Sequence, residues 1–212
     1  MEVQSIPLPN LALAFIPALA MVGVMFYWSM RAGNALYAMV RMLGQLLLIG
    51  YFLTYIFETD QAWVVLFVLG IMVVASSWIA LSNVTTQRKH LFLFSLVSIL
   101  LAGGITLGIV SAGVLQLDPW YQPRFLIPLA GMIFANSMNS VSLCAERLSA
   151  ELRRGDNWVT ARTTALQAGM IPMVNSLFAV GLVSLPGMMT GQILSGVSPL
   201  IAVRYQIMVM CM

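Results

Sequence analysis

Long apolar runs separated by short polar connections dominate the hydrophobic pattern of the chain. About 20 apolar residues in a helix are needed to cross the roughly 30 Å hydrocarbon core of a bilayer. Six runs meet this length: Leu11–Met30, Ala38–Phe57, Ala62–Leu81, Leu91–Leu115, Phe125–Leu143 and Leu166–Pro186. A seventh begins near Pro199, but the residues from there to Met212 extend only about 20 Å. The pattern predicts an all-α polytopic membrane protein with six complete transmembrane helices and a truncated seventh, in a single domain over residues 1–212.

The composition agrees with a membrane protein. Hydrophobic residues make up 60% of the chain and charged residues only 8%, whereas soluble proteins carry about 25% charged residues. The net charge of +3 is small, and membrane topology accounts for it without a nucleic-acid partner. Cys144 and Cys211 both lie in apolar runs without metal or redox spacing, which is typical of buried packing residues.

Lysine and arginine collect in alternate connections, which predicts the orientation. The basic connections hold Arg31 and Arg41, then Arg88 and Lys89, then Arg147, Arg153, Arg154 and Arg162. The opposite connections hold Glu58 and Asp60, then Asp118 with the single Arg124. Because short basic loops stay in the cytoplasm, we expect the N-terminus to lie outside.

The longest cytoplasmic segment, about residues 145–165, has a helical charge pattern. Arg147 and Glu151 are four residues apart and share a helix face. Gly155-Asp156-Asn157 then predicts a helix stop followed by a new N-cap. Two interpretations stay open: two short helices on the inner membrane face that present a surface to a partner, or a solvated loop with ordinary positive-inside charge.

The segment Gly181–Gly196 predicts a break in a membrane helix. Pro186 removes a backbone donor, and Gly187 next to it tolerates a positive φ. Thr190, Gln192 and Ser195 add polar groups that a bilayer tolerates only where protein or water surrounds them. The charge distribution puts Pro186-Gly187 near the outer face, so we predict a hinge, gate or re-entrant turn there.

The sequence lacks the usual motifs for energy coupling or catalysis. It has no GxxxxGK[ST] phosphate loop, and no predicted span carries a carboxylate near its centre, which disfavours a proton relay. The single histidine, His90, lies beside Arg88 and Lys89 and is interpreted as a flanking charge. The chain is therefore predicted to be non-catalytic.

Uncharged polar and sulfur-containing side chains are the candidates for a substrate pathway. The candidate pathway residues are Gln45, Asn136, Asn139, Asn175, Met188, Met189 and Arg204. Each has an alternative interpretation. Asn136 and Asn139 could form interhelical hydrogen bonds, and the methionines could be packing residues instead of ligands for a soft ion such as Cu(I). Arg204 could pair with a helix carbonyl end or Gln192, face an aqueous cavity, or extend to the interface. Metal ligands cannot be assigned from the pattern.

Four stretches carry a family resemblance. They are Arg41-Met-Leu-Gly-Gln45 with Ile49-Gly50-Tyr51, Pro128-Leu-Ala-Gly-Met132 with Asn136-Ser-Met138, Gly181-Leu-Val-Ser-Leu-Pro-Gly-Met-Met-Thr-Gly191, and Val203-Arg-Tyr-Gln206. These stretches closely resemble the FetB-like family of ABC-transporter permeases, over nearly the whole chain. The family has bacterial members linked to iron export and metal or oxidative-stress resistance, and plant relatives linked to aluminium tolerance and nucleotide-sugar transport.

The resemblance implies a membrane subunit, itself without a cofactor, that works in the cytoplasmic (inner) membrane with a separate cytoplasmic ATPase that uses ATP. It also implies two copies of each subunit. The docking residues for the ATPase would be Arg147, Glu151, Arg153, Arg154 and Arg162. Family members usually carry a longer cytoplasmic segment with an Ala-Leu-Gly-Ala-Thr-like element, whereas here Thr160–Ala165 leads directly into Leu166.

We therefore expect an ATP-driven exporter of iron or another metal ion. Three alternatives stay open: a passive channel or gradient-driven carrier for a small solute, ABC export of an organic solute such as a nucleotide sugar, and a non-transporting membrane scaffold.

Overall fold

The computed structural model describes residues 6–30, 32–59, 61–84 and 88–212, and every regular element among them is a helix. The helices are α1 (Leu8–Leu13), α2 (Phe15–Tyr27), α3 (Ala32–Ile56), α4 (Ala62–Ala80), α5 (Arg88–Gly108, continued by a π-helical segment Ile109–Val114), α6 (Pro123–Arg154), α7 (Trp158–Ala179), α8 (Gly187–Leu194) and α9 (Pro199–Cys211). Arg31 and Asp60, two of the charges used to predict orientation, lie outside the described residues.

Five helical stretches among the described residues are long and apolar enough to cross a membrane. They are Pro9–Tyr27, Ala32–Ile56, Ala62–Ala80, Arg88–Val114 and Pro123–Arg154. Each coincides with one of the first five predicted spans, so an all-helical, multi-pass architecture is confirmed.

The first compact unit ends at Glu58 and contains α1, α2 and α3. A single residue, Ala14, separates α1 from α2, and its N–H bonds the carbonyl of Leu11. Pro17 explains this interruption, because it has no N–H to donate to the carbonyl of Leu13 and its ring crowds that carbonyl.

The second compact unit begins at Thr59, and α6 is its central helix, in contact with α4, α5 and α7. Its buried face contains Leu126, Leu129, Ala130, Ile133 and Phe134. Gly103 of α5 allows close approach here, because a Cβ at this position would lie only 2.8 Å from the Phe134 ring. Close approach at small residues is how membrane helices gain packing contacts.

We expect Gly103→Ala to lower the free energy of unfolding by about 1–3 kcal/mol, because the added methyl group overpacks against Phe134. The adjacent Gly104 supplies a matched control, since a Cβ there would meet nothing within 4 Å. Gly104→Ala should be neutral or stabilising by up to about 1 kcal/mol through helix propensity. Thermal unfolding of both variants in detergent measures the difference, and equal melting temperatures would contradict the close α5–α6 packing.

Small residues at every fourth position explain the packing of α7 against α6. Ala161, Ala165 and Gly169 are all buried. A Cβ on Gly169 would collide with the Cys144 sulfur and lie 3.3 Å from the Ser140 carbonyl oxygen. The two helices therefore form an antiparallel hairpin with its tightest point at Gly169.

Two polar contacts between segments of this unit fix the relative positions of its helices along their axes. The Asn83 amide nitrogen lies 3.4 Å from the Ser142 hydroxyl, and the Ser95 hydroxyl lies 3.5 Å from the Ser77 carbonyl oxygen. At the same end of the unit, Arg88 donates to the Trp78 carbonyl at 2.6 Å and lies 3.9 Å above the Trp78 ring. The predicted membrane boundaries at Leu81, Leu91 and Leu143 consequently fall at similar heights.

The predicted stop and restart near Gly155 is confirmed. Gly155 ends α6 with a φ of 95°, a conformation that favours glycine. Asn157 caps α7 by accepting a hydrogen bond from the Thr160 N–H at 2.9 Å.

The secondary structure expected for residues 145–165 is wrong in both interpretations, whereas the presentation of a surface to a partner stays a prediction. The segment is neither two separate short helices nor a solvated loop, since it consists of the continuous ends of α6 and α7 around a tight turn. A helix has no reason to end at the hydrocarbon boundary when no breaker lies there, and the first breaker after the apolar run of α6 is Gly155.

The bounds of the sixth predicted span, Leu166–Pro186, are also wrong. The helix is α7, which begins earlier at Trp158 and ends earlier at Ala179. The apolar run marked where hydrophobic side chains lie, whereas the Asn157 cap decides where the helix starts.

The break after α7 is present, but it lies before Pro186. Gly181 has a φ of 81°, and its N–H bonds the Ser184 carbonyl at 3.0 Å. Pro186 is the N-cap of α8, and Gly187 is its first residue. Proline suits a helix start because its missing N–H has no intrahelical partner there. The positive φ expected at Gly187 occurs instead at Gly181 and Gly196.

Candidate functional site

An exposed polar face runs along α6. Asn136 and Asn139 are exposed on it, with the half-buried Met132 above and Leu143 below. Their three- and four-residue spacing puts these four side chains on one side of the helix. A bilayer tolerates exposed amides at this depth only where other protein or water covers them.

Two more predicted pathway residues also lie at exposed positions. Asn175 is exposed on α7, and the antiparallel packing of Gly169 beside Ser140 and Cys144 puts it near the height of Asn136. Gln45 is exposed on α3 in the first unit. The structure thus brings Asn136 and Asn139 onto one face and does not enclose any of these amides in a cavity.

A cavity of about 210 Å³ lies at the N-terminal end of α6, between α6, α8 and α9. Three thioethers line it, from Met132, Met188 and Met208, together with Tyr205 and Arg124. Sequence reasoning named Met188 but missed Met132 and Met208, because in a chain with 16 methionines nothing in the spacing distinguishes them. Met132 and Tyr205 did have one distinguishing feature, since each belongs to one of the stretches with family resemblance.

Met189 faces a different cavity of about 280 Å³, which Gln206, Met210 and Cys211 also line. Gln206 is only 4% exposed, and both polar atoms of its side chain lack a hydrogen-bond partner within the described residues. Among these residues there is no group of three or more His, Cys, Asp or Glu side chains suited to a metal ion.

Arg204 is exposed on α9, and none of its possible pairings is found. Within the part of the chain that the structure describes, its guanidinium makes no hydrogen bond or ion pair. The Gln192 side-chain oxygen, one suggested partner, is buried without a partner of its own.

The Arg154 end of α6 carries a buried carboxylate between two arginines. Glu151 is 4% exposed, and its Oε1 lies 2.6 Å from Arg147 Nη2 and 3.4 Å from Arg154 Nη1. Arg153 donates to the Ser149 carbonyl at 3.1 Å and is exposed, as Arg154 and Arg162 are. Glu151 therefore orients Arg147 and Arg154, and the exposed arginines present positive charge at this end of the helix.

A third cavity, of about 500 Å³, is lined by residues of α5, α6 and α7 and of the connection after α4. Apolar side chains form most of its wall, and the polar groups are a few serines, Cys144 and a single charge, Arg162. Sequence reasoning missed this cavity, because its lining comes from three helices and a connection that are separate in sequence.

The sequence profile described as "Uncharacterised protein family (UPF0014)" matches residues 8–212. The chain belongs to the UPF0014 family. This result and the relatives below confirm the resemblance to FetB-like proteins, and they establish a multi-pass membrane protein of a family that includes transport proteins.

Three curated relatives show how far the similarity extends. The UPF0014 membrane protein slr1647 of Synechocystis is 39% identical, over 84% of this chain and 74% of its own length. The "Probable iron export permease protein FetB" of Escherichia coli is 33% identical, over 83% and 72%. The protein ALUMINUM SENSITIVE 3 of Arabidopsis thaliana is 32% identical, over 85% and 70%. No protein of solved structure matches the chain.

Proposed function

We propose that this UPF0014 protein is the permease subunit of an ATP-driven transporter that exports iron or another metal ion. The observation that carries the proposal is the 33% identity to the probable iron export permease FetB across most of the chain. In this proposal a separate cytoplasmic ATPase binds and hydrolyses ATP, and the permease itself is non-catalytic and holds no cofactor.

The exposed amides of α6 and α7 support an assembly of two permease copies in the inner membrane. Asn136, Asn139 and Asn175 are exposed in this structure, and a polar side chain facing lipid is unfavourable. In the proposal these amides meet across a twofold interface and line the pathway. Gln45, Met188, Met189 and Arg204 are secondary candidates, and the residues that contact the metal ion are not assigned.

The topology that fits this proposal has the N-terminus outside and α7 as the sixth membrane crossing. Helix α7 has 22 residues, enough to cross the core. Helix α9 would enter the same layer as the seventh segment. Both units then form one permease domain.

The proposed docking surface for the ATPase is the cytoplasmic end of the α6–α7 hairpin. Its exposed arginines, Arg153, Arg154 and Arg162, present positive charge, and Arg147 and Glu151 hold the end of α6 in shape. The proposed hinge or gate is the loop from Val180 to Pro186, with Gly187 at the start of α8, because it joins two helices at the outer end of the unit.

Transport by reconstituted protein tests the proposal. We expect ATP-dependent Fe(II) movement in proteoliposomes that contain the chain and an ATPase encoded beside its gene. Asn136→Leu should reduce the rate about tenfold, the effect of replacing one polar group of the pathway, able to hydrogen-bond the water around a moving ion, by an apolar side chain. Leu143→Ile, on the same face of α6, is the matched control and should keep the rate.

Three results would contradict the proposal. Fe(II) movement without the ATPase would favour a channel or gradient-driven carrier. ATP-dependent movement of a nucleotide sugar but not of metal would favour an organic solute. No movement of any tested solute, with normal ATPase binding, would favour a scaffold.

A further inference from the structure

The 500 Å³ cavity lined by α5, α6, α7 and the connection after α4 has the character of a ligand site. Its volume falls within the roughly 300–1,000 Å³ typical of small-molecule pockets, which are mostly apolar with a few polar groups. It lies away from the exposed asparagines of α6, and neither the pathway nor the proposed hinge uses it.

The cavity straddles the predicted inner boundary of the membrane. Along α5 its lining includes Phe94 and Ser98, which lie inside the hydrocarbon layer of the predicted span. Along α6 it continues to Leu152, about 14 Å beyond the predicted boundary at Leu143. An occupant would therefore have one end among acyl chains and the other among lipid headgroups.

One end of the cavity is apolar and the other carries a cation, which matches the apolar acyl chains and the charged headgroup of an anionic lipid. Arg162 and Trp158, both near the start of α7, line the end beyond the hydrocarbon layer. The long side chain of Arg162 can extend back to the headgroups, and a guanidinium binds phosphate through paired hydrogen bonds. Arg162 is the single charged residue in the cavity lining, so the electrostatic complement is an anion.

We propose that this cavity binds one anionic phospholipid of the inner leaflet. The phosphate binds Arg162 beside Trp158, and the upper part of an acyl chain lies against Phe94 and Ser98. Arg162 is also a proposed docking residue, but lipid binding depends on neither the ATPase nor transport.

Native mass spectrometry of the purified chain, without an ATPase, tests the proposal. The probes are phosphatidylglycerol and phosphatidylcholine with the same acyl chains. We expect one phosphatidylglycerol to be retained in preference to phosphatidylcholine, and Arg162→Gln to weaken its binding about tenfold through loss of a charge-assisted hydrogen bond.

Arg153→Gln is the matched control, because Arg153 is an exposed arginine at the same end of the hairpin that does not line the cavity. It should leave phosphatidylglycerol binding nearly unchanged. An equal loss in both variants would show nonspecific attraction to basic residues and would overturn the proposal.

One further measurement tests whether the ligand is a lipid or a free phosphate. A second tests whether a variant that loses binding is still folded. Glycerol phosphate should not compete, because it lacks the acyl chain. Ser98→Phe, which fills the apolar end from a position that is already exposed, should abolish retention of phosphatidylglycerol while melting within a few degrees of the parent chain. Retained binding in a folded Ser98→Phe variant, or effective competition by glycerol phosphate, would contradict the proposal.

Discussion

Gly169→Leu is expected to be among the most destabilising single substitutions in the second unit. The side chain would enter the tightest contact between α6 and α7, where even a Cβ collides with the Cys144 sulfur and meets the Ser140 carbonyl oxygen at 3.3 Å. A backbone oxygen cannot move aside without shifting the helix. Overpacking of this kind costs about 1–3 kcal/mol and occasionally more, and we expect about 3 kcal/mol. The measurement is thermal unfolding in detergent.

Three companion variants make the interpretation specific. Gln167→Leu adds leucine to the exposed side of the same helix and should leave the melting temperature nearly unchanged. Gly169→Ala should already destabilise the unit by about 1–3 kcal/mol, because its Cβ alone clashes. Combining it with Cys144→Ala should recover part of the loss, because the smaller residue removes the clashing sulfur. Strict additivity in this double mutant would show that the two residues are not in contact.

Glu151→Ala is expected to lower the free energy of unfolding by about 1–3 kcal/mol. The substitution leaves Arg147 and Arg154 without their common carboxylate at the end of α6. Removing one partner of a fully buried ion pair costs about 3–5 kcal/mol. The expected cost is smaller here because the side chains of Arg147 and Arg154 are 40% and 66% exposed, so water screens part of the interaction. Thermal unfolding measures this effect.

The control for this prediction is Glu146→Ala, an exposed carboxylate on the same helix, which should be nearly neutral. Glu151→Leu combined with Arg147→Leu should restore much of the stability, since an apolar pair can replace a buried ion pair. Glu151→Ala should also reduce co-purification of the proposed ATPase, whereas the double variant, still lacking the charge of Arg147, should not recover it. Full recovery of both properties would mean that the arginine serves only stability.

Membrane-helix positions were predictable from the sequence, because apolar length is a direct consequence of bilayer thickness. The five apolar stretches, the α6 stop at Gly155 and the Asn157 cap all follow from local chemistry. The end of a helix was predicted less accurately where several possible helix-breaking residues lie close together. The end of α7 at Ala179 is set by a turn centred on Gly181, and the more conspicuous Pro186-Gly187 pair drew the expected break to the wrong residues.

The candidate sites were less predictable for a physical reason. A cavity forms from side chains that tertiary packing brings together, so Met132, Met188 and Met208 share a cavity although they lie on three helices. The burial of a charged side chain also results from tertiary packing. From the sequence alone, Glu151 is expected to be a surface charge on an amphipathic helix. Only the packed structure shows that its carboxylate is buried between arginines.

Helix α6 is continuous from Pro123 to Arg154, and this gives it the mechanical properties of a rigid lever. Met132 at the 210 Å³ cavity and Arg154 at the other end are about 33 Å apart along its axis. A tilt of about 5° pivoting at Met132 would displace the Arg154 end by about 3 Å. The same tilt would move Asn136 and Asn139, which lie close to the pivot, by less than about 1 Å without unfolding any intervening turn.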